Sequence, residues 1–299
     1  MERIRLSNEV EISKVVHGMW RLTEWNYSHQ DLIGFVEQCL EMGIDTFDHA
    51  DIYGDYTCET LFGNALGQVP ELNQKLKIVT KCGIKLLSGN RPDHYIKHYD
   101  TSFDHIVWSA ENSLKQLQRE QVDVMLIHRP DPFMNPEEVA KAFTKLREEG
   151  KVKEFGVSNF LPSQFNTLQQ FLDFPLVTNQ VEISVAALQE FENGVIDQCL
   201  QKRMSPMAWS PLAGGAVFSA ETHRILTLKN VLHKIAKSLD SSIDKVMYAW
   251  LAAHPVNIIP IVGSGKIERV KSAVDAMHIK LSRQQWFEIW VASQGENVP

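Results

Sequence analysis

Cysteine is scarce in this chain, and what there is stands apart. Cys39, Cys58, Cys82 and Cys199 are too widely spaced for a CxxC redox or zinc motif, and sparse, unclustered thiols suit a reducing compartment. Long apolar runs are also missing. The most apolar late stretch, Val246 to Val256, is too short to span a bilayer and contains His254-Pro255. The N-terminus, Met1-Glu2-Arg3-Ile4-Arg5, lacks the apolar run of a signal peptide. The expectation is a cytoplasmic protein with no membrane partner. No lysine/arginine block tracks a phosphate backbone, and the net charge of −7 comes from interspersed acids and bases. Nucleic acid is therefore excluded as a partner. A Rossmann fingerprint is absent. Gly265-Lys266 looks like the end of a P-loop, but Ile267 follows it and Pro260 stands where the earlier glycine belongs. No linker or low-complexity segment divides the chain, so one domain over residues 1–299 is expected.

What is present is an alternation of short apolar runs with longer amphipathic ones. The short runs are Val15–Trp20, Ile44–Asp48, Leu76–Lys81, Val122–His128, Glu154–Ser158, Leu176–Val181, Pro206–Trp209 and Ile258–Val262. Nearly free of internal charge, they suit parallel strands buried on both faces. Between them, Ser28–Glu41, Phe103–Leu117, the segment led by Asn135-Pro136-Glu137-Glu138, Leu188–Arg203, Lys245–Ala253 and Ile267–Met277 carry helical spacing and caps. Eight such units with no sign of sheet reversal predict an α/β fold of the (β/α)8 TIM-barrel type. Ile4–Leu6 and Val10–Ile12 around Ser7-Asn8-Glu9 predict an N-terminal β-hairpin at the barrel bottom, and Ser282–Ala292 an extra C-terminal helix. Three long connections, Gly83–Thr101, Arg129–Asn135 and Leu212–Asn230, follow strands and so belong to the face where barrel enzymes place their sites.

The chemistry-bearing residues end those strands. Asp48 ends the second run and Tyr53 sits five residues later, in Asp48-His49-Ala50-Asp51-Ile52-Tyr53-Gly54; Lys81 ends the third and His128 the fourth. In type, order and spacing these four resemble the catalytic tetrad of the aldo-keto reductases, as found in bacterial members. The likeness runs from about Gly18 to Arg269. It implies NADPH-dependent reduction of an aldehyde or ketone. Such a reaction needs a hydride from a nicotinamide and a proton for the developing alkoxide. Tyr53 is expected to be the general acid, its pKa brought down by the Lys81 ammonium, with Asp48 holding that lysine charged. His128 is expected to donate a hydrogen bond to the substrate oxygen.

The resemblance also implies the cofactor contacts. Ser158, Asn159 and Gln180 would meet the nicotinamide carboxamide, and Trp209 would stack on the nicotinamide face. Ser210, Pro211, Leu212 and Gly214 match the loop over the pyrophosphate. Gly263, Ser264, Gly265 and Lys266 open a helix whose N-terminus is an anion site. Arg269 matches the arginine that meets the 2′-phosphate, favouring NADPH (NADP+) over NADH. Ile261 and Ala273 depart from the lysine and asparagine common in the family at those positions, and Lys266 is expected to substitute electrostatically. On the substrate side Trp20, Met19, Trp25, Tyr56 and Arg129 are candidates, and such large aromatics favour an apolar small-molecule carbonyl. His49 and Asp51 form an HxD pair with no further ligand nearby, so no metal site is expected. Two other readings stand beside this one. One is a Schiff-base aldolase with Lys81 as nucleophile; the other is an NADP-binding regulatory subunit resembling the potassium-channel β subunits.

Overall fold

The computed structural model describes residues 1–299. Eight strands close into a parallel barrel in which each lies beside its predecessor in the chain. They are Val16–Gly18, Thr46–Asp48, Lys77–Cys82, Val122–Ile127, Val152–Ser158, Asn179–Glu182, Met207–Trp209 and Ile259–Val262. Each falls on one of the eight apolar runs. The chain contains two compact units, Met1–Gln180 with Gly263–Gly265, and Val181–Val262 with Lys266–Pro299. No helix is long and apolar enough to cross a membrane.

In the first unit the register aligns Asp48 with Val79, Lys81 with Leu126 and Leu126 with Gly156. All six residues of Val122–Ile127 are buried, as a strand covered on both faces requires. Outside it, Phe143 stacks on Phe155 with centroids 4.1 Å apart. The helix His29–Glu41 begins with a capping box between Ser28 and Asp31, and Ser102 caps Phe103–Leu117. The N-terminal hairpin pairs Ile4 with Ile12. Arg3 forms an ion pair with Asp45 at 2.8 Å and the Ser13 amide donates to Thr46 Oγ1, which ties the hairpin to the start of the second barrel strand.

In the second unit the C-terminal helix is Arg283–Gln294, capped by Ser282. Trp286 on it stacks on Trp250 at 4.8 Å, and each indole N–H donates to the other residue's carbonyl at 3.1 Å. Two expectations are corrected here. Leu188–Arg203 is not one helix but two, Gln189–Glu192 and Val195–Lys202, broken where Gly194 takes φ 86°. The supposed loop Leu212–Asn230 ends early, because Thr222 caps a helix over His223–Ser238 that buries Ile225, Leu228, Leu232 and Ile235. In the first unit, Cys58–Leu66 and Pro162–Gln169 are helices that periodicity had not revealed.

Gly63 lies within the helix Cys58–Leu66, where alanine would by propensity be favoured by about 1 kcal/mol. A Cβ there would stand 1.9 Å from the Gln116 carbonyl oxygen, which is backbone and cannot swing aside. Gly63→Ala is therefore expected to destabilise the protein by roughly 1–3 kcal/mol, lowering the melting temperature by several degrees in calorimetry. A rise would show that the two helices separate at little cost.

Candidate active site

The centre of the site is a lysine with no access to water. Lys81 is 0 % exposed, and its ammonium donates to Asp48 Oδ2 at 2.7 Å, to the His49 carbonyl at 2.6 Å and to the Tyr53 hydroxyl at 2.9 Å. An ammonium has three protons, and all three are placed. The other Asp48 oxygen, Oδ1, accepts from Gln180 Nε2 at 2.8 Å. Asp48 ends the second strand, Lys81 lies one residue short of the end of the third, and Gln180 lies in the sixth, so strand termini position the cluster. His128 directly follows the fourth strand, and its ring meets that of Tyr53 edge-on at 6.0 Å. The four tetrad residues are thus together.

Burial dominates the electrostatics. It lowers the Lys81 pKa, while the Asp48 carboxylate works to raise it. His128 is held well below the ordinary histidine range by burial, then by the charges of Lys81 and Arg129, so its ring is neutral. Tyr53 corrects an expectation: burial first and the Asp48 carboxylate second push it well above the ordinary phenol value. The nearby ammonium does not bring it down. Tyr53 remains a phenol at neutral pH, its oxygen accepting from Lys81.

The residues read as cofactor contacts divide between the units. In the first, Ser158 Oγ donates to the Gln180 carbonyl at 2.7 Å, and Asn159, in the left-handed region at φ 62°, donates to Ser158 Oγ at 2.8 Å. Ser264 presents its carbonyl to His17 Nε2 at 3.0 Å. Gly265 lies so close to Trp25 that a Cβ would meet the indole at 2.7 Å, whereas Gly263 faces open space. In the second unit, Trp209 ends the seventh strand, and Ser210, Gly214 and Gly215 all have positive φ, with open space where a Cβ on either glycine would stand. Pro211 and Leu212 lie between them. Lys266 is the N-cap of Ile267–Ala276, a helix start with no side-chain cap, and Arg269 is exposed in its first turn. Open glycines and uncapped amides are what a phosphate-bearing cofactor requires.

The substrate-side residues separate. Trp20 is 59 % exposed, but Met19 is fully buried and cannot line a pocket. Trp25 packs among His17, Tyr27 and Phe35. Tyr56 is buried away from the tetrad, its hydroxyl accepting the Leu86 amide at 2.7 Å. Arg129 is half-buried beside His128. His49 and Asp51 do not form a pair: His49 packs edge-on against Phe62 at 4.6 Å, and Asp51 Oδ2 accepts from Ser109 at 3.0 Å.

Residues 14–292 match the model of the aldo/keto reductase family. The chain belongs to that family. It is 50 % identical to the uncharacterized oxidoreductase YcsN of Bacillus subtilis, with all of both chains covered. It is 43 % identical to a 6-dehydroglucose reductase of Agrobacterium fabrum, again over the whole of both. A thermostable aldo-keto reductase, Tm1743, solved with the inhibitor epalrestat, superimposes with a TM-score of 0.82 at 26 % identity, covering 98 % of this chain and 100 % of that one. This aldo-keto reductase is accordingly an oxidoreductase on a (β/α)8 barrel with an N-terminal hairpin.

Two buried acids lie beside the tetrad, Glu59, which sequence reasoning missed, and Asp51, which it read only as half of an HxD pair. Glu59 is raised to about 7 and Asp51 to about 8, each by burial first. Glu59 Oε1 accepts from Thr80 at 2.6 Å. Between the unfolded value near ~4.3 and about 7, folded Glu59 keeps a proton that the unfolded chain has lost. Stability therefore falls as pH rises through that window, by roughly 1.4 kcal/mol per pH unit, and Asp51 acts in the same direction up to about 8. Glu59→Gln should remove its share, so denaturant unfolding at pH 5, 6 and 7 should show a shallower pH dependence than wild type. Parallel curves would mean Glu59 is ionised in the folded protein.

Proposed function

We propose that this protein reduces an aldehyde or ketone to the alcohol with NADPH, and that Tyr53 delivers the proton. The observation that carries this is the Lys81 ammonium: its three donations fix Tyr53 against a charged donor inside the barrel. NADPH, when bound, supplies the hydride to the carbonyl carbon. The Tyr53 O–H passes its proton to the carbonyl oxygen as the C=O π bond gives way to C–H and O–H bonds. The resulting phenolate is stabilised by the hydrogen bond from Lys81, which is stronger to an anionic oxygen than to a neutral one. Neutral His128 can donate one ring N–H to the same substrate oxygen. Because Tyr53 stays protonated at neutral pH, the site favours reduction; alcohol oxidation would require the phenolate and a more alkaline medium.

For the cofactor, Ser158, Asn159 and Gln180 are assigned to the nicotinamide carboxamide, and Trp209 to the nicotinamide face. Ser210, Pro211, Leu212 and Gly214 are assigned to the pyrophosphate, with Gly263, Ser264 and Gly265 offering backbone groups to the nucleotide. Lys266 and Arg269 are assigned to the 2′-phosphate. Gln180 has a second duty, since one of its amide protons already holds Asp48. With Met19 buried, Trp25 packed against Gly265 and Tyr56 elsewhere, the aromatic wall expected for an apolar substrate is reduced to Trp20. A polar aldehyde of the kind named for the 6-dehydroglucose reductase relative fits that remainder better. The aldolase reading loses support from the same lysine, whose amine is sealed from solvent and whose protons are all engaged. A regulatory role without turnover gains none, as the two relatives described above are named as an oxidoreductase and a reductase.

Tyr53→Phe should lower turnover of an aldehyde by about 10²–10⁴-fold while leaving NADPH affinity, followed by tryptophan quenching, within a few-fold of wild type. Loss of NADPH binding would remove Tyr53 from proton transfer. Arg269→Ala should weaken NADPH by roughly ten- to hundredfold, the value of a hydrogen bond to a charged group, and leave NADH nearly unchanged. Equal losses would place 2′-phosphate recognition on other residues.

A further inference from the structure

A second cleft, of about 490 Å³, opens in the first unit where the excursion after the third barrel strand faces the helix Phe103–Leu117. None of Asp48, Tyr53, Lys81 or His128 lines it. From the excursion come Lys85 and Arg91; from the helix come His105 and Trp108; Asp51 and Tyr56 form the floor. Asp104, exposed in the first turn of the helix, stands at its edge.

Two deeply buried polar atoms in this lining have no partner in the protein: Asp51 Oδ1 and His105 Nε2, on residues 6 % and 7 % exposed. Their chemistry can be worked out. Lys85 Nζ, which can only donate, lies 3.0 Å from His105 Nδ1, so Nδ1 is the acceptor. Burial and then the Lys85 charge hold the ring near pKa 4, hence neutral, and its single proton must sit on Nε2. That nitrogen is a donor without an acceptor. Asp51, raised to about 8, is a carboxylic acid at neutral pH. Its Oδ2 is paired with Ser109, which leaves Oδ1 as the oxygen through which the acid can donate outward, with no acceptor in the protein. Buried polar groups left unmatched are costly, and such groups call for an explanation.

Of the remaining lining, Lys85 and Arg91 are cations and Asp104 at the edge is an acid. Lys85 shares its charge with Asp100 at 3.6 Å. Arg91 has no carboxylate partner; one of its N–H groups donates to the Asn90 carbonyl, and its guanidinium lies over Tyr56 at 4.6 Å and Trp108 at 5.6 Å. Trp108 keeps 48 % of its surface exposed. The cleft thus offers two cations against one acid at its edge, the His105 N–H, the Asp51 carboxyl and a flat aromatic face. An acceptor-rich anion attached to a planar body matches that set, and a carboxylate matches it most closely because its two oxygens can each take a neutral and a charged donor.

We propose that this cleft is a second ligand site, separate from the tetrad, that binds a small organic carboxylate carried on a flat ring. The carboxylate would engage Arg91, Lys85, His105 and Asp51, with the ring against Trp108. The probe is benzoate, titrated calorimetrically into the full-length protein. The expected result is saturable binding that Arg91→Ala and Trp108→Ala each weaken at least tenfold, and that Tyr53→Phe leaves unchanged. Both substitutions are at partly exposed positions, so they test the site without threatening the fold. His105→Gln, which keeps a donor, should retain more affinity than His105→Leu. Benzylamine, the same shape with the opposite charge, should bind far more weakly. Several results would overturn the proposal. They are no benzoate binding at 10-millimolar order, loss of binding in Tyr53→Phe alone, tighter binding of benzylamine, or inorganic phosphate binding as well as benzoate. Because the readout is binding and not turnover, it stands or falls independently of the reductase reading.

Discussion

An ammonium sealed inside a protein is tolerable only if its protons and its charge are both matched. In this barrel that condition falls on Lys81. A buried lysine deprived of its carboxylate loses several kcal/mol, roughly 3–5 for a broken buried pair, so Asp48 is a structural necessity apart from any part in the proposed chemistry. Matching the charge in turn fixes the carboxylate, because Asp48 must present Oδ2 to the lysine, and its other oxygen is then held by Gln180 from the sixth strand. Gln180 is itself braced, its carbonyl accepting from Ser158 Oγ and from the Asn159 amide. Tyr53, the third acceptor of Lys81, is placed as a consequence of this network.

The rest of the titratable chemistry around the pair is arranged so that no other charge is buried with it. Each neighbour is pushed toward its neutral form, mainly by burial: Asp51 up to about 8, Glu59 up to about 7, His49 down to about 3, His17 down to about 4, with Tyr53 up and His128 down in the same sense. One ion pair stays charged in a neutral surround. In such a surround Asp48 is the charge that opposes Lys81 at the Tyr53 oxygen, and a phenolate formed there meets a donor already in place. The cost appears as the carboxylates' adverse pH dependence, since both acids would rather ionise in water.

These features were legible to different degrees in the chain itself. Apolar runs bounded by polar residues placed all eight strands, strand ends located Asp48, Lys81 and His128 to within a residue, and Tyr53 was added from the family resemblance. The helix His223–Ser238 escaped because the loop signal of Gly214-Gly215 was carried on past Thr222, whose capping role marks where the loop stops. The Tyr53 shift escaped for another reason: reasoning from residue types counted the lysine's charge but not the depth of burial, and burial is the larger effect. The Gln180–Asp48 bond joins residues 132 positions apart, and closure of the barrel, not local sequence, brings them together. Tyr56, a substrate-side candidate by sequence, lines the second cleft instead.

That last separation has a definite cause. Gly54, Asp55 and Tyr56 take φ of 57°, 56° and 68°, three successive left-handed residues of which two are not glycine. Each non-glycine costs roughly 1–2 kcal/mol there, so the turn needs support, and the support is visible. Thr57 Oγ1 donates to the Gly54 carbonyl at 2.6 Å, Asn90 Nδ2 to the Asp55 carbonyl at 2.8 Å, and the Leu86 amide to the Tyr56 hydroxyl at 2.7 Å. Leu86 and Asn90 both belong to the excursion after the third strand. Only glycine serves at 54, since a Cβ would stand 2.6 Å from Cys58 Sγ and 2.7 Å from Thr23 Cγ2. The turn reverses direction between its two tyrosines, sending Tyr53 to Lys81 and Tyr56 to the floor of the second cleft. The long excursion is therefore a clamp on the segment that carries the Tyr53 hydroxyl to Lys81, and it shares the lining of the second cleft with the helix Phe103–Leu117, Tyr56 and Asp51.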